Sequence, residues 1–230
     1  DDGEAFSENF ASLNRNKRSI VIDFKNTKEL TYLKELVRVC DVVLENFRPG
    51  VLPRLGLGYE DLIKLNSKLV YCSISGFGQT GPNSEKGAFD VTVQGFSGMM
   101  SVTGEQGSSP VKNGVPVGDF CAGLYAGYTI LARLIQAKET GCGAHIDCSM
   151  LGSLMGVSAL QTSEFFGTGK APQALGSAHP RNAPYQAFRG SDDYFIIAAG
   201  NDQLWLEVAS ATGMEELTKD PRFLTQVLRA

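Results

Sequence analysis

Asp119 is the residue of this 230-residue chain best placed to do chemistry. A Gly- and Pro-marked apolar run, Gly114-Val115-Pro116-Val117-Gly118, leads into it. Leu124, Tyr128, Leu131, Leu134 and Ile135 then recur at helical spacing. That pattern places Asp119 at the N-cap of a helix, where a carboxylate commonly does nothing more than accept backbone N–H bonds. Gly118 and Gly123 suggest a second role, because bare backbone lets a ligand come close. A helix start also offers free N–H groups and partial positive charge to an anion. An ionised carboxylate there can attack an activated acyl group. It needs no histidine to remove a proton at neutral pH.

Other chemistries find little material. Only two histidines exist, His145 and His179, which argues against a His-based metal site or a His-dependent triad. Cys40, Cys72, Cys121, Cys142 and Cys148 form no CxxC pair and no metal-type spacing. They read as reduced thiols of an intracellular protein, with a cytoplasmic location expected, or the mitochondrial matrix in a eukaryote. A net charge of −4 gives no reason to expect nucleic acid or an anionic membrane as partner. No apolar run approaches a membrane span. Gly76-Phe77-Gly78-Gln79-Thr80-Gly81 matches GxGxxG, but Pro82-Asn83-Ser84 follows where a dinucleotide fingerprint needs a helix. These glycines are read as a mobile or close-approach loop beside a ligand.

The elements that must position Asp119 alternate. Strands are expected at 19–24, 41–45, 69–74 and 144–148, and helices from Asn26-Thr27, over 59–65, over 89–100 and over 150–166. The expected fold class is α/β, a Rossmann-like large domain built on a parallel sheet. It occupies 1–166, with a Gly/Pro/Ala-rich linker at 167–182. A hairpin over 185–198 and a helix over 202–211 open a small α+β domain over 183–230, expected to be incomplete. The chain begins Asp1-Asp2-Gly3-Glu4 without Met or signal peptide and stops at Ala230, so a fragment of a longer protein is expected.

Several motifs, taken together, resemble the class III CoA-transferases of the CaiB/BaiF type, most like the succinyl-CoA–glutarate and formyl-CoA members. They are Asn14 to Ile20 (NRNKRSI), Asp41 to Gly50 (DVVLENFRPG), Tyr71 to Pro82 (YCSISGFGQTGP), Ala88-Phe89-Asp90, Ser97 to Gly104 (SGMMSVTG) and Gly118-Asp119. Gly176-Ser177-Ala178-His179 and Pro184-Tyr185-Gln186-Ala187-Phe188 point to the glutarate branch.

The resemblance implies CoA transfer from an acyl-CoA thioester to a carboxylic acid through a covalent intermediate on Asp119. It assigns Asp90 and Gly118 as supporting residues. Ile22, Asp23, Phe24, Lys25, Asn46, Phe47, Arg48, Arg54, Leu55, Gly87, Ala88 and Phe89 would contact CoA, a substrate rather than a resident cofactor. Arg15, Lys17 and Arg18 suit either CoA or solvent. His179 and Arg181 could take the acceptor carboxylate, or His179 could merely hold its loop. The family implies an interlocked homodimer. Phe89 stands where the related α-methylacyl-CoA racemases carry a proton-shuttling His, which favours transferase over racemase. A truncated, inactive CoA-binding fragment is the third reading.

Overall fold

The computed structural model describes residues 7–230. The opening Asp1 to Glu4, and with it the start of the expected 1–166 unit, lies outside the described residues. Three strands, β1 (Val42–Glu45), β2 (Val70–Ser75) and β3 (Ala144–Ser149), form a parallel sheet in that order. Val70 faces Val42 on one side and Ala144 on the other, which fixes the register of both pairings. Helices α1 (Glu8–Leu13) and α2 (Thr27–Val37) precede β1, and α3 (Val51–Arg54) and α4 (Tyr59–Leu62) join β1 to β2. Helix α5 (Asp90–Phe96), a 3-10 turn (Met99–Val102) and the long α6 (Val117–Thr140) join β2 to β3. After β3 come α7 (Met150–Val157) and α8 (Ala159–Thr168). An antiparallel hairpin of β4 (Tyr185–Arg189) and β5 (Tyr194–Ala198) follows, then α9 (Asp202–Ala211), a 3-10 turn (Glu215–Lys219) and α10 (Gln226–Arg229). The α/β class read from the sequence is the one observed.

The central strand β2 explains why the sheet was legible. A parallel strand covered on both faces reads as one apolar run rather than an alternation. Its side chains, with Leu69 just before it, serve two cores. Val70 and Cys72 pack with Val93 of α5, Ala122 and Ala126 of α6 and Leu154 of α7. Leu69 and Tyr71 pack on the opposite side with Val37, Leu52, Leu57 and Leu62.

Four expectations need correction. The run Ser19 to Phe24 is not a strand: it is irregular, and Ile20 and Val21 are exposed. β-branched residues favour extended backbone, but a strand also needs a neighbour for its hydrogen bonds, and among the described residues β1 pairs only with β2. The helix expected over 89–100 ends at Phe96, because Gly98 takes a left-handed φ of 78° and starts a separate 3-10 turn. The helix expected over 150–166 is two helices, broken at Ser158, whose φ −89° and ψ 20° leave the helical region. The second of them runs on to Thr168, two residues into the expected linker.

The fourth concerns α6. It begins at Val117 rather than after Asp119, with Pro116 as its N-cap. Its buried face is made of small residues, Gly118, Ala122, Ala126 and Ala137, so the helix lies close upon the sheet. Of the large apolar residues that revealed its period, Leu124, Tyr128, Leu131 and Ile135 are exposed, Leu124 at 70%, while Leu134 packs against the core. Periodicity marked the helix but not which face is buried.

Leu154, fully buried between α6 and the sheet, is the side chain on which this packing should depend most. Leu154→Ala is expected to lower the unfolding free energy by roughly 2–5 kcal/mol. Leu160→Ala, at an exposed position, should change it by less than about 0.5 kcal/mol. Urea denaturation of the two variants measures the difference.

Candidate active site

In a parallel sheet every strand delivers its carboxyl end, and the loop that follows, to the same edge, which is where open α/β sheets hold ligands. A cavity of about 540 Å³ lies at that edge here. The residues just after β1, Asn46 to Pro49, form one wall. Ser75 and Gly76 at the end of β2 form its floor with Met150, the residue after β3. The segment Lys86 to Asp90 covers another side, and Asp119 enters from the first turn of α6.

Local hydrogen bonds fix these pieces. Asn46 Nδ2 donates to the Ile74 carbonyl at 2.7 Å, tying the first loop to β2. Phe47 N donates to Glu45 Oε2 at 2.7 Å. Leu151 N donates to the Gly76 carbonyl at 3.0 Å, tying α7 to the floor. Gly76 must be glycine for a steric reason: a Cβ there would lie 2.3 Å from the Cβ of Ala88, so the covering segment could not sit down. In the GxGxxG run the close approach is that of Gly76 to Ala88, and Gly76 is the one of its three glycines in the lining. Gln79 N donates to Asp147 Oδ2 at 2.9 Å, and turns rather than a helix follow.

Asp119 is the third residue of α6, so it is not the cap expected from the sequence. In a capping box the Glu or Gln at that position reaches back to the N–H of the N-cap residue. Here the cap is Pro116, which has no N–H, and no side chain caps this helix. The carboxylate therefore stays at the cavity wall while still favoured by the helix dipole. Its pKa is raised above the ordinary Asp value, first by burial and second by the charge of Asp90.

Asp90 is held firmly. Its Oδ1 accepts the Gly118 N–H at 2.7 Å and its Oδ2 accepts Gln94 Nε2 at 2.6 Å. Gly118 therefore has a different use from the one expected. Its backbone is bare for Asp90 and Val93, not for a ligand: a Cβ would meet Asp90 Oδ1 at 2.9 Å and Val93 Cγ2 at 2.8 Å. Its N–H is already taken. Gly123 remains exposed.

Of the other residues singled out, Asn46, Phe47, Arg48, Gly87, Ala88 and Phe89 line the cavity. Arg48 lies against Gly87, whose Cβ position is 3.0 Å from a guanidinium nitrogen. Phe24 lies next to the cavity rather than in it, its ring 5.9 Å from that of Phe47. Leu55 packs with Phe24 against the second core. Arg54 reaches Gly50, where a Cβ would lie 3.0 Å from its Nη1. Asp23 closes a local turn, accepting Lys25 N at 2.9 Å, while Lys25 is exposed and Ile22 half-buried. His179 and Arg181 are not in the lining. The His179 ring lies tilted at 52° to that of Tyr185, centroids 5.0 Å apart, and its Nδ1 accepts Arg181 N at 3.1 Å, which suits the loop-holding role.

Sequence reasoning missed Ser75, Met150, Pro49 and Lys86 in the lining. The first two directly end or follow a strand, and the strand-end rule would have found them. Lys86 sits in a turn segment and gave no signal.

The comparisons agree with this geometry. The family model for CoA-transferase family III matches residues 2–230. A succinate–glutarate CoA-transferase of Agrobacterium fabrum is 42% identical over 229 residues, 99% of this chain and 57% of that protein. The succinyl-CoA:glutarate CoA-transferase of Homo sapiens is 40% identical over 220 residues, covering 96% and 50%. The crystal structure of a CaiB/BaiF family protein from Brucella suis superposes with a TM-score of 0.81 at 44% identity, covering 94% of this chain and 57% of that one. The chain thus spans about half the length of the relatives it matches. From the strand-end cavity with its two carboxylates and from the family match, the chain belongs to CoA-transferase family III.

Proposed function

We propose that the protein transfers CoA between an acyl-CoA thioester and a carboxylic acid, with Asp119 as the covalent nucleophile. The observation that carries this is the uncapped Asp119 carboxylate in the wall of a cavity at the strand ends, with Asp90 beside it. Asp119 attacks the thioester carbonyl, the C–S bond breaks, and the CoA thiolate leaves behind a mixed anhydride. The thiolate then attacks the aspartyl carbonyl, releasing the donor acid and forming an aspartyl–CoA thioester. The acceptor carboxylate reverses the two steps: it displaces the thiolate, which returns to the new acyl carbon and frees Asp119. Each step conserves an activated acyl bond.

The cavity's residue types fit such a substrate. Arg48 and Lys86 bring positive charge suited to phosphates. The Phe47–Phe24 pair offers an apolar face for an adenine, with Ile22, Asp23, Lys25, Arg54 and Leu55 further out. The segment Gly87 to Asp90 would run beside the pantetheine arm toward Asp119. Phe89, 82% exposed at the cavity, cannot exchange a proton, which weighs against racemisation. Succinate and glutarate are the acids proposed, from the names of the relatives. The finer architecture belongs to the same proposal: a Rossmann-like unit over 1–166, a linker, a smaller unit from 183, and an interlocked homodimer in the cytoplasm.

The same carboxylate should weaken the fold. Its raised pKa means that the native state holds the proton more tightly than the unfolded chain does. That contribution to stability is complete below the unfolded pKa and is lost as pH rises through the native one. Asp119→Asn is therefore expected to melt higher than the wild type at neutral pH. The gap should close on acidification below the ordinary carboxylate range, as melting curves across pH will show. Incubation with an acyl-CoA should add an acyl or CoA mass to the peptide that contains Asp119. Asp119→Asn should abolish the adduct and cut turnover by several orders of magnitude, as deletion of a nucleophile does. Undiminished turnover in that variant contradicts the proposal.

A further inference from the structure

Gln94 is the polar side chain that the proposed reaction leaves unexplained. It sits on α5, is fully buried, and is not itself part of the cavity lining. Burying an amide without partners is unfavourable, and here both ends are satisfied. Nε2 donates to Asp90 Oδ2 at 2.6 Å, and Oε1 accepts Asn113 N at 2.8 Å. Asp90 Oδ1 in turn accepts the Gly118 N–H, one residue before Asp119. The chain of contacts runs from the loop before α6, through Gln94 and Asp90, into the first turn of α6. Asn113 continues it, its Oδ1 accepting Val115 N at 2.9 Å. Both the approach to α6 and its first turn are thereby fastened to α5.

We infer that Gln94 is a positioning residue for acyl transfer: it fixes the Asp90 carboxylate, and through it the first turn of α6, so that Asp119 meets the thioester in one orientation. An amide suits this place for an electrostatic reason. A lysine or arginine would cancel the charge of Asp90, and a leucine would take away the donor that holds Asp90 Oδ2. Glutamine holds the oxygen and leaves the negative charge in force beside Asp119. The inference rests on Asp119 being the nucleophile.

The groups that face Asp90 are few. Asp119 and Cys121 lie on α6, and Arg48 and Lys86 on the cavity loops. Helix α7 and the 3-10 turn, which also pack against α5, carry no titratable side chain.

The test measures the rate at which an acyl-CoA places its adduct on the Asp119 peptide, by mass spectrometry, at temperatures where melting curves show each variant folded. Gln94→Leu should slow adduct formation by about 10²-fold, the scale of a displaced reacting group, with the half-saturating acyl-CoA concentration unchanged. Gln94→Glu keeps the shape but opposes two carboxylates. Its rate relative to wild type should be low at neutral pH and rise as pH falls, because a proton shared between the two acids restores the donor. A folded Gln94→Leu that reacts at the wild-type rate overturns the inference. So does a Gln94→Glu ratio that stays flat with pH, and this variant decides alone if the leucine one does not fold. No adduct in the wild type overturns the nucleophile itself, and the inference with it, whereas an adduct with unaffected variants overturns the positioning role only.

Discussion

Two carboxylates on adjacent elements must be held close together without either escaping, and the site depends on this constraint. Like charges at short range repel, and each would gain by turning to solvent or by pairing with a cation. The structure resists the first in a specific way. Asp90 takes one N–H from the backbone of α6 and another from Gln94, so its position is set by neutral donors. Gly118, by lacking a side chain, lets α6 come close enough to make that bond. Pro116, by lacking an N–H, denies Asp119 the usual contact inside its own helix. The outcome is a carboxylate at a cavity wall, its pKa raised by burial and by Asp90 and its oxygens not drawn back to the cap of its own helix.

The fold supplies the framework at low complexity. Parallel strands put Asn46, Gly76 and Met150 on one edge. The crossover from β2 to β3 returns α6 to that same edge with Asp119 in its first turn. Small residues on the buried face of α6 set its distance from the sheet, so the helix carries its acid to the rim rather than away from it. Gly76 and Ala88 do the same for the covering segment.

Much of this could be read in the residues. The apolar run at β2, the Asn26 cap of α2 and the 202–211 helix each follow a local rule that tertiary structure did not override. The nucleophile candidate emerged from a lone acid between glycines at a helix start. What failed to emerge needed partners. Ser19 to Phe24 has strand composition but no strand beside it. The exposed stripe on α6 has helical period but marks the outer face. The N-cap preference drew the helix start to Asp119, although Pro116, three residues earlier, is the boundary. Gln94 is not singled out in the sequence, and only the packing of α5 against α6 and α7 reveals it as buried.

The path of oxygen offers the most direct measurement of the central claim. If the acceptor carboxylate attacks an aspartyl–CoA thioester, one of its oxygens stays on Asp119 when the new acyl-CoA departs. Turnover with an acceptor acid labelled with oxygen-18 should therefore leave heavy oxygen in the Asp119 side chain, located by fragmentation of its peptide. Sustained turnover with no label on Asp119, or with the label on another residue, would contradict the account.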